Sequence, residues 1–328
     1  RDHCVTGVQT CALPISLEMA EVIGNLGKRE SILTLASYFK ARVSKAKVLG
    51  EPLPAGNLED WVIRMFGGRL YHMFFKSYTE KVWGMPCREI SADWASQRIR
   101  GLSLGRAIRN ALHPPRDMTT NPKGDRSQQI KTLITSFRYP RLGPGQLWEA
   151  AAQKVREQGG EIVMGAKAIG ITARAGGGWR VRLCQGDQNN EVEVDQLISS
   201  APLGCLIHAI HPQLPTEVRQ AAQGLRYRDF ITVALILKPR VMFSDNWIYI
   251  HDPDLKVGRI QNFGNWSAAM VPEVDRACYG MEYFTNTEDA FWQKPDSDLI
   301  SLAIKELVAL ELAQPEDVLD GTVIRQPK

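Results

Sequence analysis

The residues best suited to binding chemistry crowd between Phe74 and Leu104. Phe74, Phe75, Tyr78, Trp83 and Trp94 stand there among Lys76, Lys81, Arg88, Arg98, Arg100 and, just beyond, Arg106. Aromatic faces stack on flat ligands, and cations, above all Arg forks, hold carboxylate or phosphate. The stretch therefore suits a planar or anionic small molecule. A helical hairpin with its aromatics in the core and its charges in water would use the same residues, and composition alone favours that plainer reading.

Two further segments could bring main chain close to a ligand. Gly143-Pro144-Gly145 is a turn immediately before a helix expected over Gln146–Glu157. Glycine permits close backbone approach, and a helix start favours negative charge. A plain tight turn reads identically. Ser200-Ala201-Pro202 closes an expected strand with a turn of small residues before a helix.

Other chemistries find no support. There is no GxSxG, HExxH or P-loop pattern, and Glu80, Glu89 and Asp93 have no spacing that demands acid–base work. The six cysteines include no CxxC pair, which argues for reduced, mostly buried thiols; His208 and His211 lack further ligands, so no metal is expected. The net charge of +4 over 328 residues falls short of a nucleic-acid footprint and fits a small-molecule partner. No apolar run reaches the roughly 18 residues of a membrane span, and no signal peptide opens the chain, so a cytoplasmic location is expected.

The elements that must position these residues follow from periodicity. Over Leu17–Leu49 the apolar residues Ile32, Leu33, Leu35, Ala36, Phe39 and Val43 recur at helical steps opposite Lys28, Arg29, Lys40, Arg42, Lys45 and Lys47. Such a basic amphipathic helix either rests on an anionic membrane surface or lays its stripe on the core, and the core is the expected place. Helices follow at Leu58–Phe66 (capped by Asn57), at about 69–81, at Ala92–Arg100 and at Leu104–Leu112, with a polar loop over 116–128. The period then changes. Strands are expected at Glu161–Met164, Lys167–Ala173, Trp179–Leu183 and Val192–Ser199, followed by a helix at Leu203–Ala209. Further strands are expected at Phe230–Leu237, Trp247–His251, Val257–Phe263, Tyr279–Phe284 and Gly321–Gln326, with a helix at Asp296–Leu312. Asn262, Asn265, Trp266 and Tyr283 stand either at a pocket on that sheet or in its core, with core or rim favoured.

The run Tyr78-Thr79-Glu80-Lys81-Val82-Trp83-Gly84-Met85-Pro86, followed by Arg98 and Arg100, resembles the YTxKxWGxP block of a flavoprotein group. That group contains the FAD-dependent amine oxidases, protoporphyrinogen-oxidase-like proteins and the related UDP-galactopyranose mutase, and the resemblance extends more loosely from Leu17 to the end. It implies FAD and an α/β (mixed α+β) fold: a partial dinucleotide-binding domain with a helical cap and a mixed-sheet substrate domain. The expected organisation is a cap over 17–135, part of the FAD domain over 136–212 and a substrate-domain sheet over 213–328. Residues 1–16 resemble a translated sequencing adapter and are set aside. The resemblance places Gly143, Gly145, Ala168, Ser200, Ala201 and Pro202 against the cofactor. It places Tyr78, Lys81, Trp83, Arg98 and Arg100 against the substrate, by stacking and by charge.

Mutases usually read KQWG where this chain reads Lys81-Val82-Trp83-Gly84, which tilts the expectation to an oxidoreductase passing hydride from a small substrate, anionic if the cations face it, to flavin. The alternatives are a nucleotide-sugar isomerase or a non-catalytic binding module. No strand-to-helix GxGxxG turn occurs, so the chain reads as the interior of a larger enzyme, expected to bind flavin weakly or not at all by itself.

Overall fold

A computed structural model describes residues 8–10, 19–47, 56–94, 138–238, 243–271, 273 and 275–327. Arg98, Arg100, the helix expected at Leu104–Leu112 and the 116–128 loop lie outside the described residues. The chain forms two units, one from Arg1–Gly143 with Arg228–Pro327 and one from Pro144–Tyr227. Ten strands are described: β1 Val8–Thr10, β2 Ala166–Ala173, β3 Trp179–Gln185, β4 Gln188–Val194, β5 Ile210–His211, β6 Asp229–Leu237, β7 Trp247–Ile250, β8 Arg259–Asn262, β9 Ala277–Thr285 and β10 Val318–Gln326.

The first unit is built on a six-stranded sheet ordered β1-β7-β8-β9-β6-β10, antiparallel throughout. Alternation writes its inner face. Ile231, Val233, Leu235 and Leu237 of β6 point the same way as Ile248 and Ile250, Ile260, and Tyr279, Met281 and Tyr283. Leu299, Ala303 and Leu307 of the Asp296–Ala309 helix close this core. Tyr283 and Asn262 are therefore buried and do not face a pocket. The edge strand β1 falls within residues 1–16; edge pairing is made by main chain and asks little of side chains.

Helices cover the other part of this unit: α1 Met19–Lys47, α2 Leu58–Phe66, α3 Gly68–Leu70 and α4 Ser77–Trp83, with a π-helical turn over Tyr71–Lys76. Asn57 caps α2 as expected, its Oδ1 accepting from Asp60 N at 2.9 Å. The helix expected over 69–81 is continuous but re-phased by the π turn, which carries an extra residue per turn. Phe75 consequently stacks on Phe66 of α2 (5.6 Å), while Tyr78 and Lys81 turn to the sheet.

The orientation of α1 reverses the expectation. Ser31, Thr34 and Tyr38 are buried, whereas Ile32 is 66%, Phe39 59% and Val43 55% exposed. The cause is local. Gly67, at φ +88°, approaches the main chain of α1 so closely that a Cβ would stand 2.9 Å from Ser37 C. Arg69 N donates to Ser37 Oγ (3.1 Å), and Arg69 Nη2 donates to Glu30 Oε2 (2.7 Å). Those ties draw the small polar side of α1 inward and leave the apolar side out.

The second unit has a four-stranded sheet ordered β4-β3-β2-β5, an antiparallel meander with β5 parallel to β2. Its described core is small: Ile171, Val181 and Ala209. The strand expected at Glu161–Met164 is not formed, and the one expected at Val192–Ser199 ends at Val194 as β4. Neither segment has a ladder partner among the described residues, and a β-prone run without a partner gains nothing from extension. Ile198 is 95% and Met164 74% exposed, and the Gly145–Glu157 helix buries none of its side chains, leaving Trp148 71% exposed. The thiols also depart from expectation: Cys87 is buried, but Cys205 is exposed and Cys184 and Cys278 are intermediate, all four free.

Candidate functional site

The YTEKVWG run is held by its own C-terminus. Gly84 ends α4 at φ +65°, its N–H donating to Glu80 O. A Cβ there would stand 2.7 Å from Arg228 Cζ. Arg228 needs that space because its guanidinium donates to Val82 O (3.2 Å), Lys81 O (3.4 Å) and Phe284 O (2.9 Å), clamping the end of α4 to β9. The glycine after Trp83 is thus required twice, by backbone sign and by the guanidinium beneath it. Trp83 packs edge-on against Trp94 (5.4 Å, 87°), within the helical core.

Lys81 is tightly constrained. Its Nζ donates to Ile250 O (3.1 Å), Asp252 O (2.6 Å) and Val257 O (3.1 Å), so all three N–H donors go to main-chain carbonyls around the β7–β8 connection. Burial draws its pKa down to about 8, opposed by Glu306 and Asp252. Beside it His251 is buried with neither ring nitrogen hydrogen-bonded, between the rings of Phe74 (6.2 Å) and Tyr78 (5.8 Å). Burial, and then the Lys81 charge, push His251 down to about 4, so it is neutral near pH 7.

From Tyr78 the site passes onto the outer face of the sheet. Its ring meets Tyr249 at 4.3 Å, and burial raises its phenol well above the usual range. Strand register sets Tyr249 opposite Arg259, Arg259 opposite Glu282 and Glu282 opposite Thr232; one row on, Trp247, Gln261, Gly280 and Ala234 align. Glu282 is 4% exposed and forms a two-bond fork with Arg259 (Nε 2.7 Å, Nη2 2.6 Å to Oε2), while Gln261 donates to its other oxygen. Gln261 in turn accepts from Trp266 Nε1 (3.0 Å); Trp266 lies parallel on Trp247 (5.1 Å, 8°) and against Tyr139 (4.9 Å). The result is a hydrogen-bonded polar floor flanked by two aromatic groups. It can grip a flat or amphipathic molecule by ring contact and orient it with a satisfied, rigid network.

Of the residues expected at the substrate, Tyr78 reaches the sheet face, Lys81 gives its donors to main-chain carbonyls instead of a ligand, and Trp83 packs on Trp94; Tyr249, Arg259, Gln261, Glu282 and Arg228 were not among the expectations. The available signal was polar or aromatic residues at alternate positions of WIYI, RIQN and CYGMEYF, the strand face opposite the core. Trp266, named beforehand as a pocket or core candidate, joins the aromatic group.

The cofactor candidates divide between the units. Gly143 belongs to the first, buried at φ +91°, with its N–H donating to Pro140 O (3.0 Å). Gly145, Ala168, Ser200, Ala201 and Pro202 belong to the second. Gly145 opens its helix with nothing within 4 Å of a built Cβ; Ala168 is exposed beside a β-bulge in β2; Ser200 and Ala201 are exposed in the turn before the Leu203–Ala209 helix. Gly143 is buried, whereas Gly145, Ala168, Ser200 and Ala201 lie in exposed, side-chain-poor stretches of main chain. The described residues include no strand-to-helix glycine turn of the GxGxxG kind to hold a pyrophosphate, and no group of His, Cys, Asp and Glu that could hold a metal ion.

Comparison with known proteins bears on the fold and the family. The chain is similar in fold to reduced UDP-galactopyranose mutase (22% identity, TM-score 0.70, 92% of this chain and 61% of that one). It is similar also to an oxidoreductase from Methanosarcina mazei (11%, TM-score 0.58, 91% and 63%) and to putrescine oxidase bound to putrescine (14%, TM-score 0.51, 96% and 63%). The chain spans about three-fifths of the length of these structures. Residues 70–320, most of the chain and the whole of the aromatic face from Phe74 to Trp266, match the family described as flavin containing amine oxidoreductase. With the α/β fold and that match together, the chain belongs to the flavin-containing amine oxidoreductase family.

Proposed function

We propose that the protein is an FAD-dependent oxidoreductase whose substrate lies on the outer face of the six-stranded sheet. The observation that supports this most is the pairing of a satisfied Arg259–Glu282–Gln261 floor with the flanking Trp247–Trp266 and Tyr78–Tyr249 rings. Bound FAD supplies a two-electron acceptor for hydride. The chain's own residues bind, orient and dry the substrate. Tyr78, Tyr249 and Trp247 give ring contact, and Gln261, held in place by Glu282 and Trp266, sets the hydrogen-bonding direction. Lys81 and Arg228 are positioning residues, fastening α4 to the sheet so that Tyr78 stays over Tyr249. Arg98 and Arg100 supply charge to an anionic group of the substrate. Within the second unit, Gly145, Ala168 and the Ser200–Pro202 turn offer main chain to the cofactor.

The test starts from the purified gene product. Visible flavin absorbance, bleached anaerobically by small amine or CH–CH donors and restored by an acceptor, is the expected result. Tyr249→Ala should raise KM with the flavin content unchanged. A nucleotide-sugar isomerase would turn over with no net bleaching, and a colourless product that takes up no FAD would overturn the reading.

A further inference from the structure

The outward face of α1 is built for a partner that the sheet and core do not provide. After the break at Gly27 (φ +72°) the helix continues over 28–47, about 30 Å at 1.5 Å per residue. Ile32, Ala36, Phe39 and Val43, spaced four, three and four apart, form one exposed stripe. Arg29 and Lys40, also exposed, border it on one side. The 28–47 segment holds six cations, at 28, 29, 40, 42, 45 and 47, and a single carboxylate, Glu30, which is engaged by Arg69 on the inward side. Its inner side is fixed by the Gly67–Ser37 approach, so rotation cannot bury the stripe.

We propose that this face of α1 docks on an anionic membrane surface, with Ile32, Phe39 and Val43 entering the headgroup boundary and the flanking cations meeting lipid phosphates. An apolar stripe edged by Lys and Arg is the pattern of a helix lying in the interface plane, and no described helix is long and apolar enough to span a bilayer. Charge decides against the same face pairing with a second copy. Two such helices would oppose cation to cation, with no unengaged carboxylate on 28–47 to relieve it, whereas phosphatidylserine supplies the missing negative charge.

Co-sedimentation of the full gene product with vesicles tests this. Binding to phosphatidylcholine vesicles containing phosphatidylserine, little binding to phosphatidylcholine alone, and weakening as salt is raised are expected. Ile32→Ser with Phe39→Ser should weaken binding about tenfold or more through lost apolar burial. Arg29→Glu with Lys40→Glu should weaken it on anionic vesicles by a similar factor while leaving the melting temperature unchanged. If the serine pair melts early, the charge-reversal pair decides alone. Equal, weak binding to both vesicle types overturns the proposal. So does a dimer in sedimentation velocity that Phe39→Ser dissociates without any vesicle binding, which would make the face an interface between copies.

Discussion

The two sheets of this protein differ in side chains and in surroundings: β6 reads DFITVALIL, whereas β4 reads QNNEVEV. In the first unit β6 and β9 lie between strands on both sides, and every inward residue from Ile231 to Leu237 and from Tyr279 to Tyr283 is buried against a helix. In the second, β3 and β2 are flanked only by a short meander and the two-residue β5, and three residues form the described core. Valine, isoleucine and leucine do not make a strand by themselves. A strand is stable where neighbouring backbone completes its ladder and a layer covers its face, which the first sheet has and the Val163–Met164 and Leu197–Ile198 segments lack.

Mutations can break that contrast, beginning with the largest effect. Leu235→Ala, at a fully buried position in β6, should cost about 2–5 kcal/mol in chemical denaturation. A loss below 1 kcal/mol there would mean the six-stranded sheet is not the stable body of the protein. Lys81→Met comes next. It removes three donors from buried carbonyls at the β7–β8 connection and should destabilise the first unit by about 2 kcal/mol. Its melting transition should shift while hydrogen exchange in β2–β4 stays the same.

The contrast is also sensitive to pH. His251 has its pKa depressed from 6.5 to about 4, so the unfolded chain takes up the proton first. Its contribution to stability is complete above about pH 6.5 and is lost as pH falls toward 4. His251→Phe should flatten the acid side of the stability profile of the first unit, measured by urea titration between those pH values. A profile unchanged by the substitution would show that His251 is hydrated in solution. The smallest effect belongs to the second unit. Ile198→Ser, almost fully exposed, should change stability by no more than about 0.5 kcal/mol. A larger loss would mean that this surface is covered in the intact protein. Native-state hydrogen exchange sharpens the same comparison, with β2–β4 amides expected to open at lower free energy than those of β6 and β9.

Much of the first unit was legible beforehand because its signals are local. The expected strands at 230–237, 247–251 and 279–284 match β6, β7 and β9 within two residues, and Asn57 caps α2 as its type and position indicate. The aromatics proposed for the substrate side were singled out only in part: Tyr78 sits in a recognisable run, whereas Tyr249 and Trp247 do not. The polar floor was not. Arg259, Gln261 and Glu282 are far apart in sequence and become one network only through the β7–β8–β9 register, which no period of two can specify.

What the amino-acid order determined by itself is periodicity and punctuation: which residues share a helical stripe, which alternate along a strand, and where glycine must break a helix, as at Gly84 beside Arg228. What only the tertiary structure decided is which side of each element meets protein. The stripe of α1 follows helical spacing in every step, yet it faces outward because Gly67 allows Ser37 to come close and Arg69 takes Glu30. Amphipathicity states that two faces differ; only the packing of neighbours, through close backbone approach and paired charge, selects the one that is buried.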